Sequence, residues 1–366
     1  MTRGTAVLLL AGLCLISWPA AATSPCRELA TDLGSVYDGT WTDGGDVLIL
    51  AEDSRQRLAR FDLRATDITL EAIVPVPDLD RLIAIEPFEN GYWLNAGVYH
   101  WIELDKTFTP RSSLDLLFSV SLFGPQSDLV QLVPREVVPF GDRLVGLGHV
   151  RRRGEEHAAL ALFGFQARPP IEDVRVFELI PSLGQENEYV SFTYPLVART
   201  GDEVFALRLG EPPRIDRLVP RHEALTAFPP GFERLTDVPQ TTGDAEGWTV
   251  KERWLETTVS PSGLYARGEH LYVLTRRPSE SSADPGSRWH VHAIDPERDR
   301  LGHAVILPTR AAKIALVPGP KHWALLELGP LEPPTLHRDT RVVLIPAAWI
   351  EDPASTALAT DVHCAR

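Results

Sequence analysis

Two histidines have the residue type and spacing to bind a metal ion. His290 and His292 are two positions apart in a segment with a period of two, so in a β-strand both side chains project from the same face. His270 or His303 lies near enough in sequence to serve as a further ligand. The alternative is a pair of half-exposed histidines on an outer strand whose rings hydrogen-bond to neighbouring groups. The sequence leaves both interpretations open.

Two arginine runs have the chemistry to bind an anion. They are Arg151-Arg152-Arg153 and Arg276-Arg277, and each lies where a strand runs into a polar loop. Guanidinium groups that face a common cleft suit a carboxylate, a phosphate or a sulfated ligand. The alternative is a solvated surface that nearby Glu155, Glu156 and Glu280 neutralise. Arg151, Arg152, Arg276 and Arg277 are the ligand-binding residues that we predict.

Catalytic motifs are absent from the sequence. It contains no G-x-S-x-G elbow, no H-E-x-x-H pair, no Walker loop and no paired C-x-x-C, so we assign no catalytic residue and no cofactor. Trp93, Trp101, Trp289 and Trp323 lie in predicted strands, where aromatic wedges between blades are expected. Trp41, Trp248 and Trp254 are placed less clearly and could stack on a sugar or a peptide.

The composition describes an acidic chain. The formal net charge is −14, and lysine occurs at only four positions, with arginine used elsewhere. An acidic chain without a basic stripe is a poor nucleic-acid binder, because such binding depends on phosphate neutralisation. Residues 1–22 have a charged Arg3, an apolar run and small residues at a cleavage site, which predicts a signal peptide. We therefore expect export to the periplasm or the medium, no membrane span after cleavage, and a monomer.

The elements that position these residues are short strands. Residues Ser262–Leu307 read as four strands in a row separated by Gly, Pro, Ser and Asp turns. Similar hairpins recur five more times, each with an apolar strand, a glycine-containing turn and a second apolar strand. The turn glycines are Gly45, Gly91, Gly141, Gly201, Gly268 and Gly319, spaced by 46, 50, 60, 67 and 51 residues.

Repeats of this length with four strands each are typical of a propeller. The sequence therefore predicts an all-β, six-bladed β-propeller that occupies residues 23–366 as one domain. Residues Glu28–Tyr37 precede the first hairpin and are expected to pair with the last sheet and close the ring.

Loop lengths distinguish the two faces of the predicted ring. Turns between the first and second strands of a blade open on one face and are short; we call this the short-turn face. Loops between the second and third strands, and the crossovers between blades, open on the other, the long-loop face. This second face carries the long connections and all four predicted ligand-binding arginines, so it is the predicted binding face.

Units such as RLARFDL and WHVHAIDPERDRL, in a six-repeat pattern, resemble secreted six-bladed propellers of the NHL and gluconolactonase-like kind. The resemblance implies a divalent cation in the central channel, held by acidic and asparagine ligands. This chain has only Asn90, Asn95 and Asn187. The leading hypothesis is therefore a non-catalytic protein that binds a protein, peptide or glycan. The alternative is a metal-dependent hydrolase or lactonase with its site in the channel.

Two cysteines remain after the signal peptide, Cys26 and Cys364, one at each end of the mature chain. In an oxidising compartment they most simply form one bridge across the ring closure, although two free thiols are also compatible with the sequence. A loop this long could contribute roughly 4–5 kcal/mol in the chain-entropy model.

The first prediction concerns this bridge. Mass spectrometry of exported protein without reduction should show a peptide that links Cys26 to Cys364, and Cys26→Ser should lower the melting temperature. Two free thiols in natively exported protein would exclude the bridge.

Overall fold

A computed structural model describes residues 26–352, apart from 66, 78, 80, 89, 98–99, 116–127, 157–158, 167–173, 181–194, 210–212, 233–246, 248, 251–252, 255–256, 279–286 and 331–337. Within these residues the chain folds into six four-stranded antiparallel sheets arranged as the blades of a β-propeller. The predicted fold class and number of blades are confirmed. The predicted signal peptide, residues 1–22, lies outside the described residues.

Each blade is a meander that starts at the axis and runs outwards, and the sixth is completed by the first strand of the chain. Blade 1 contains β2 (Val36–Thr42), β3 (Val47–Glu52), β4 (Arg57–Asp62) and β5 (Leu70–Ile73). Blade 2 contains β6 (Ala84–Phe88), β7 (Gly91–Asn95), β8 (His100–Asp105) and β9 (Pro110–Asp115). Blade 3 contains β10 (Leu129–Phe140), β11 (Arg143–Arg152), β12 (Ala159–Gln166) and β13 (Val174–Ile180).

The second half of the ring repeats this order. Blade 4 contains β14 (Val197–Thr200), β15 (Glu203–Arg208), β16 (Arg214–Val219) and β17 (Glu223–Ala224). Blade 5 contains β18 (Ser260–Arg267), β19 (His270–Pro278), β20 (Ser287–Asp295) and β21 (Arg300–Ile306). Blade 6 contains β22 (Lys313–Val317), β23 (His322–Leu328), β24 (Thr340–Pro346) and, at its outer edge, β1 (Arg27–Leu33). A short helix, α1 (Ala347–Glu351), follows β24 and was not predicted.

Burial explains why the middle strands read as apolar runs. Every residue of β3 is buried, because neighbouring blades cover both faces of its sheet. At the rim the pattern changes, and in β9 only Leu114 is buried. The core therefore lies between blades rather than inside any one of them.

Aromatic side chains fill these interfaces as wedges. Trp93 and Trp101 of blade 2 stack with ring centroids 6.3 Å apart and share a core cluster with Phe163 and Phe165 of blade 3. Between blades 5 and 6, Trp289 and Trp323 belong to one cluster. Trp41 donates its indole N–H to the carbonyl of Val317 and so joins blade 1 to blade 6 (2.9 Å). Trp254 packs against the core around blade 4, and Trp248 lies outside the described residues.

Ring closure depends on β1, which pairs antiparallel with β24 as predicted. The hydroxyl of Thr340 donates to the carbonyl of Gly34 (2.6 Å) and accepts from the N–H of Val36 (3.1 Å). Thr340 is 3% exposed, so these bonds join the closing strand to blade 1 away from water. Arg341 on β24 adds an ion pair with Glu28 on β1 (2.6 Å).

The six predicted glycine turns all lie between the first and second strands of a blade, but they serve two purposes. Gly45, Gly141, Gly201 and Gly268 have φ between 55° and 90°, the left-handed region where glycine costs least. The remaining two, Gly91 and Gly319, provide space instead. A Cβ on Gly91 would lie 1.9 Å from the carbonyl oxygen of Leu104, and one on Gly319 would lie 2.6 Å from the Trp41 ring. Positive φ therefore explains glycine at four of the six positions, and lack of space for a Cβ explains it at the other two.

The second prediction tests the closure. Thr340→Val keeps the shape of the side chain but removes the hydroxyl, which leaves a buried carbonyl and a buried N–H without their partner. Chemical denaturation should show a loss of about 1–3 kcal/mol in the free energy of unfolding. Thr69→Val, at an exposed position before β5, is the matched control and should change stability little. Equal stability of both variants would contradict the role given to Thr340.

Candidate functional site

The innermost strands of the six blades surround the axis, and each begins at the long-loop face. Neighbouring inner strands contact one another around much of the ring, as β2 does with β6 and β22. The first residues of these strands therefore lie together at one end of the axis. Side chains at this end come from blades that are far apart in sequence.

We use the name cationic cluster for four residues: Tyr37 on the inner strand β2, Lys313 at the start of the inner strand β22, Arg276 near the end of β19 and Arg338 before β24. The ammonium of Lys313, first residue of β22, lies 5.5 Å from the centroid of the Tyr37 ring on β2. Burial lowers the pKa of Arg338, and Tyr37 partly opposes this shift. The guanidinium of Arg338 donates a hydrogen bond to the carbonyl of Gly329 (2.9 Å). Lys313 and Arg338 thus both interact with Tyr37, and the charge of Arg276 acts on Lys313.

The surroundings of Lys313 disfavour its charged form. Burial lowers the pKa of its ammonium, repulsion by the Arg276 guanidinium lowers it further, and Tyr37 partly opposes both. None of the ion pairs within the described residues joins Lys313 to a carboxylate. A bound anion would stabilise a half-buried cation in this position, because it replaces the interactions with water that burial removed.

Arg276 is one of the four predicted ligand-binding arginines, and it lies inside this cluster. It is only 3% exposed, its Nε donates to the hydroxyl of Ser287 (2.7 Å), and its guanidinium lies 5.6 Å from the centroid of the Trp289 ring. Arg276 is therefore a buried side chain and does not extend outwards from a loop. Its positive charge contributes to the lowered pKa of Lys313.

Arg277 faces a different part of the long-loop face. Its guanidinium lies 5.5 Å from the centroid of the Phe232 ring and donates to the carbonyl of Pro230 (3.3 Å). Phe232 in turn meets Phe228 edge to face, with centroids 6.1 Å apart. Arg277 thus secures the crossover between blades 4 and 5.

Arg151 and Arg152 lie at the end of β11 in blade 3, on the same face but two blades away from Arg276. Arg151 donates to the side-chain oxygen of Gln131 (3.2 Å). Arg152 lies 3.5 Å from a carboxylate oxygen of Asp128, and its backbone N–H donates to Glu155 (2.8 Å). The structure brings the four predicted arginines to one face and does not show contacts that join the two pairs.

His290 and His292 share a face of β20 as predicted, with ring centroids 6.1 Å apart. Nε2 of His292 lies 3.1 Å from the hydroxyl of Thr275. Burial, together with the charge of His290, lowers the pKa of His292 to about 4, so its imidazole is neutral at neutral pH. Within the described part of the chain no third ligand joins the two histidines.

Side chains on the inner strands of blades 1, 3 and 5 accept hydrogen bonds from backbone N–H groups of the following blade. Asp38 of blade 1 accepts from the N–H of Ile85 in blade 2 (3.0 Å). In blade 3, Glu136 accepts from the N–H groups of Leu196 and Val197 in blade 4 (2.6 and 2.7 Å). The hydroxyl of Tyr265 in blade 5 accepts from the N–H of Leu316 in blade 6 (3.1 Å). These groups are structural ties between blades.

The carboxyl groups along the axis repel one another. Burial raises the pKa of Glu136 to about 8, aided by the charge of Asp38, although the N–H bonds pull in the opposite direction. Burial also raises the pKa of Glu86 well above its ordinary value, and Asp38 and Glu136 add to this shift. Two of these acids thus favour their neutral forms, so the axis carries less negative charge than its composition suggests.

One group of described residues has three potential metal ligands within 4.8 Å of one another: Glu178, Asp216 and His222. It lies between blades 3 and 4, away from the cationic cluster. Arg208 and Arg214 both contact its carboxylates, Arg208 at 2.7 Å from Glu178 and Arg214 at 2.9 Å from Asp216. Two guanidinium groups already supply the positive charge that a metal ion would bring.

The ends of the described chain meet at blade 6. Cys26 packs against the same core cluster as Trp349 and Ile350 of α1. Cys364 lies outside the described residues. The chain between Asp352 and Cys364 can span roughly 40 Å when extended. The pairing of Cys26 with Cys364 stays a prediction.

Comparisons with known proteins find distant structural similarity only. No protein-family model matches the chain, and no curated protein matches it. Among solved structures, a luciferin-regenerating enzyme is 10% identical, with 87% of this chain and 94% of that one covered and a TM-score of 0.47. A gluconolactonase from Xanthomonas campestris is 8% identical, with 86% of each chain covered and a TM-score of 0.46.

A calcium-binding regucalcin from Agrobacterium tumefaciens is 11% identical, with 86% of this chain and 92% of that one covered and a TM-score of 0.42. Gluconolactonase-like propellers are thus among the structures that this chain resembles, as the repeats suggested. Similarity at this level says nothing about activity.

The third prediction concerns Glu136. Between pH of about 4.5 and about 8, Glu136 keeps its proton in the folded chain but has lost it in the unfolded chain, because folding raises its pKa. This group therefore makes stability fall as pH rises through that range. Glu136→Gln keeps an acceptor for the N–H bonds but cannot ionise. Its free energy of unfolding, relative to the native chain, should therefore rise steadily between pH 5 and pH 8.

Glu136→Ala is the control for the hydrogen bonds, and should be less stable than Glu136→Gln by about 1–3 kcal/mol at every pH. A difference between native chain and Glu136→Gln that does not vary with pH would contradict the raised pKa.

Proposed function

We propose that this propeller is a non-catalytic binding protein that receives an anionic group of a protein, peptide or glycan partner at the cationic cluster. The observation that carries the proposal is the placement of Lys313. Its half-buried ammonium lies 5.5 Å from the centroid of the Tyr37 ring, and burial together with the positive charge of Arg276 lowers its pKa. A carboxylate, phosphate or sulfate would offset both the desolvation and the repulsion.

The surroundings of the cluster support a binding role. Arg276 and Arg338 are 3% and 4% exposed, so they are held in place before a ligand arrives. Side chains that are already ordered lose little conformational freedom on binding. Arg277 and the Phe228–Phe232 pair lie on the same face and offer an aromatic, cationic border that a larger partner could contact.

A metal-dependent hydrolase or lactonase is the second candidate, and the acids along the axis are the observation in its favour. The described residues do not fit the asparagine-rich cation site that the resemblance implies. Asn90 lies in a turn on the short-turn face, and Asn95 on β7 accepts from the N–H of Gly97 (3.1 Å). Asn187 lies outside the described residues. Asp38 and Glu136 already accept backbone N–H groups. Metal analysis of purified protein tests this candidate directly.

Export belongs to the same proposal. A signal peptide at residues 1–22 would deliver the chain to the periplasm or the medium, where the Cys26–Cys364 bridge could form. None of the helices in the described part of the chain has the length and apolar character to cross a membrane. We expect the exported chain to act as a monomer.

The fourth prediction concerns binding of a simple anion. Benzoate and inorganic phosphate serve as probes in calorimetric titrations. Lys313→Met should weaken the binding of at least one probe by about 1–3 kcal/mol, because it removes a charge-assisted hydrogen bond. Lys313→Arg keeps the positive charge and should bind more tightly than Lys313→Met. Added salt should weaken binding to the native chain, since charges near the surface are screened.

Lys321→Met is the matched control. Lys321 lies in the same blade but in the turn between β22 and β23, on the short-turn face, where it pairs with Asp46 (2.6 Å). It should bind the probes as the native chain does. If neither anion binds the native chain, or if Lys321→Met loses binding while Lys313→Met keeps it, the proposed site is wrong.

A further inference from the structure

We propose that Arg277, Arg288 and His290 form a second anion site, which receives a phosphate or sulfate ester group of a ligand. The site lies on the face of blade 5 that turns towards blade 4, at the long-loop end of the sheet. It shares no residue with the cationic cluster and does not depend on that cluster. The two esters share the chemistry that the site would recognise, a tetrahedral oxyanion.

Alternation along the strands decides which way these side chains turn. Val273 on β19 belongs to the core cluster that blade 4 fills, and Trp289 on β20 belongs to the cluster between blades 5 and 6. Arg277 is four positions after Val273 and so shares its face. Arg288 and His290 flank Trp289 and so lie on the face opposite to it. All three side chains therefore turn towards blade 4.

The register of β19 and β20 places two positive charges directly opposite each other. Arg277 pairs with Arg288, and the next pair on the same face joins Thr275 with His290. Directly opposite residues of an antiparallel pair have Cβ atoms about 4.5–5.5 Å apart, and like charges in these positions destabilise a sheet. An anion bound between the two guanidinium groups would remove this repulsion.

No carboxylate of the described residues offsets this pair of charges. The ion pairs among those residues include neither Arg277 nor Arg288. Other arginines of the same blade do have such partners: Arg267 lies 3.3 Å from Glu351, and Arg298 lies 3.0 Å from Asp295. The unbalanced charge is therefore particular to this end of the sheet.

Two of the three side chains are held in place. The guanidinium of Arg277 lies against the Phe232 ring and donates to the carbonyl of Pro230, and a guanidinium has five N–H donors to share. The His290 ring lies nearly parallel to that of His292, with 16° between their planes. Arg288 is exposed and can turn towards a ligand.

The number of donors favours a tetrahedral group. Donors from two strands can contact oxygen atoms on several sides of a phosphate or sulfate, whereas one guanidinium fork already satisfies a planar carboxylate. Burial lowers the pKa of His290, and the charges of Arg277 and Arg288 lower it further, so both arginines act on this ring. A bound anion would offset that repulsion and favour an imidazole with two N–H donors.

The test is a titration of the full chain, followed by NMR of the histidine rings. Glucose 6-phosphate and glucose 6-sulfate serve as probes, and glucose is the uncharged reference. The signal that disappears in His290→Gln assigns His290. At least one ester should shift this signal until it saturates, and glucose should leave it unchanged. The ester that binds more tightly shows whether the site prefers phosphate or sulfate.

Variants of Arg288 test the site without disturbing the fold, because the residue is exposed and no hydrogen bond or ion pair of the described residues holds it. Arg288→Gln should weaken ester binding by about tenfold, the loss expected for one hydrogen bond between charged groups. Arg288→Lys keeps the charge and should bind more tightly than Arg288→Gln. Arg298→Gln, in the same blade, is the matched control and should bind as the native chain does.

The outcomes separate this site from the cationic cluster. Lys313→Met should keep the response of His290 to the ester. If neither ester shifts His290, or if Arg288→Gln binds as tightly as the native chain, the second site is wrong. Benzoate binding that depends on Lys313 would then leave the proposed function standing. A response of His290 that requires Lys313 but not Arg288 would place the ester at the cationic cluster and also contradict the second site.

Discussion

The pairing of β1 with β24 is the interaction on which the rest of the structure depends. A propeller has no central element, and each blade is held only by its two neighbours, so an open ring leaves two apolar faces in water. The first strand of the chain closes this gap at the outer edge of blade 6. The buried hydroxyl of Thr340 fixes the chain as it leaves β1 and enters β2.

The same closure builds the candidate site. The hydroxyl of Ser35, in the link between β1 and β2, accepts from the backbone N–H of Arg338 (2.9 Å). Tyr37 follows two residues later, and Lys313 starts the inner strand of the blade that β1 completes. The cationic cluster therefore forms where the two ends of the ring meet. A chain that fails to close would lose the site together with the fold.

Charge is separated along the axis. Carboxyl groups at Asp38, Glu86 and Glu136 lie on inner strands, and the cations gather at the long-loop end. For both kinds of group, burial is the largest influence on pKa: it raises the pKa of Glu86 and Glu136 and lowers that of Lys313. Each shift moves its group towards the neutral form. The axis is thus a poorly solvated environment in which a ligand of the right charge replaces water.

Much of the fold could be predicted from the sequence because its repeats are local. Apolar strands on either side of glycine turns predicted all six hairpins. The segment before the first hairpin predicted the strand that pairs with the last blade and closes the ring. The site was harder. Arg276 was predicted as a ligand-binding side chain together with its neighbour Arg277, but Arg276 is buried whereas Arg277 is only partly buried.

Lys313, Tyr37, Arg338 and Glu136 were missed, since each reads as an ordinary polar residue near a strand end. Their meeting depends on which strands are innermost, and that follows only from tertiary structure. The available signal was the rarity of lysine: one of four lysines opens an otherwise apolar inner strand.

The central claim is that Lys313 is a desolvated cation in a preformed anion site. The most direct measurement is an NMR titration of the lysine side-chain nitrogens, which four lysines make easy to resolve. The account predicts that Lys313 loses its proton below the ordinary range of a lysine side chain, and that saturating benzoate moves its titration back to higher pH. A Lys313 side chain that titrates in the ordinary lysine range and does not respond to benzoate would contradict it.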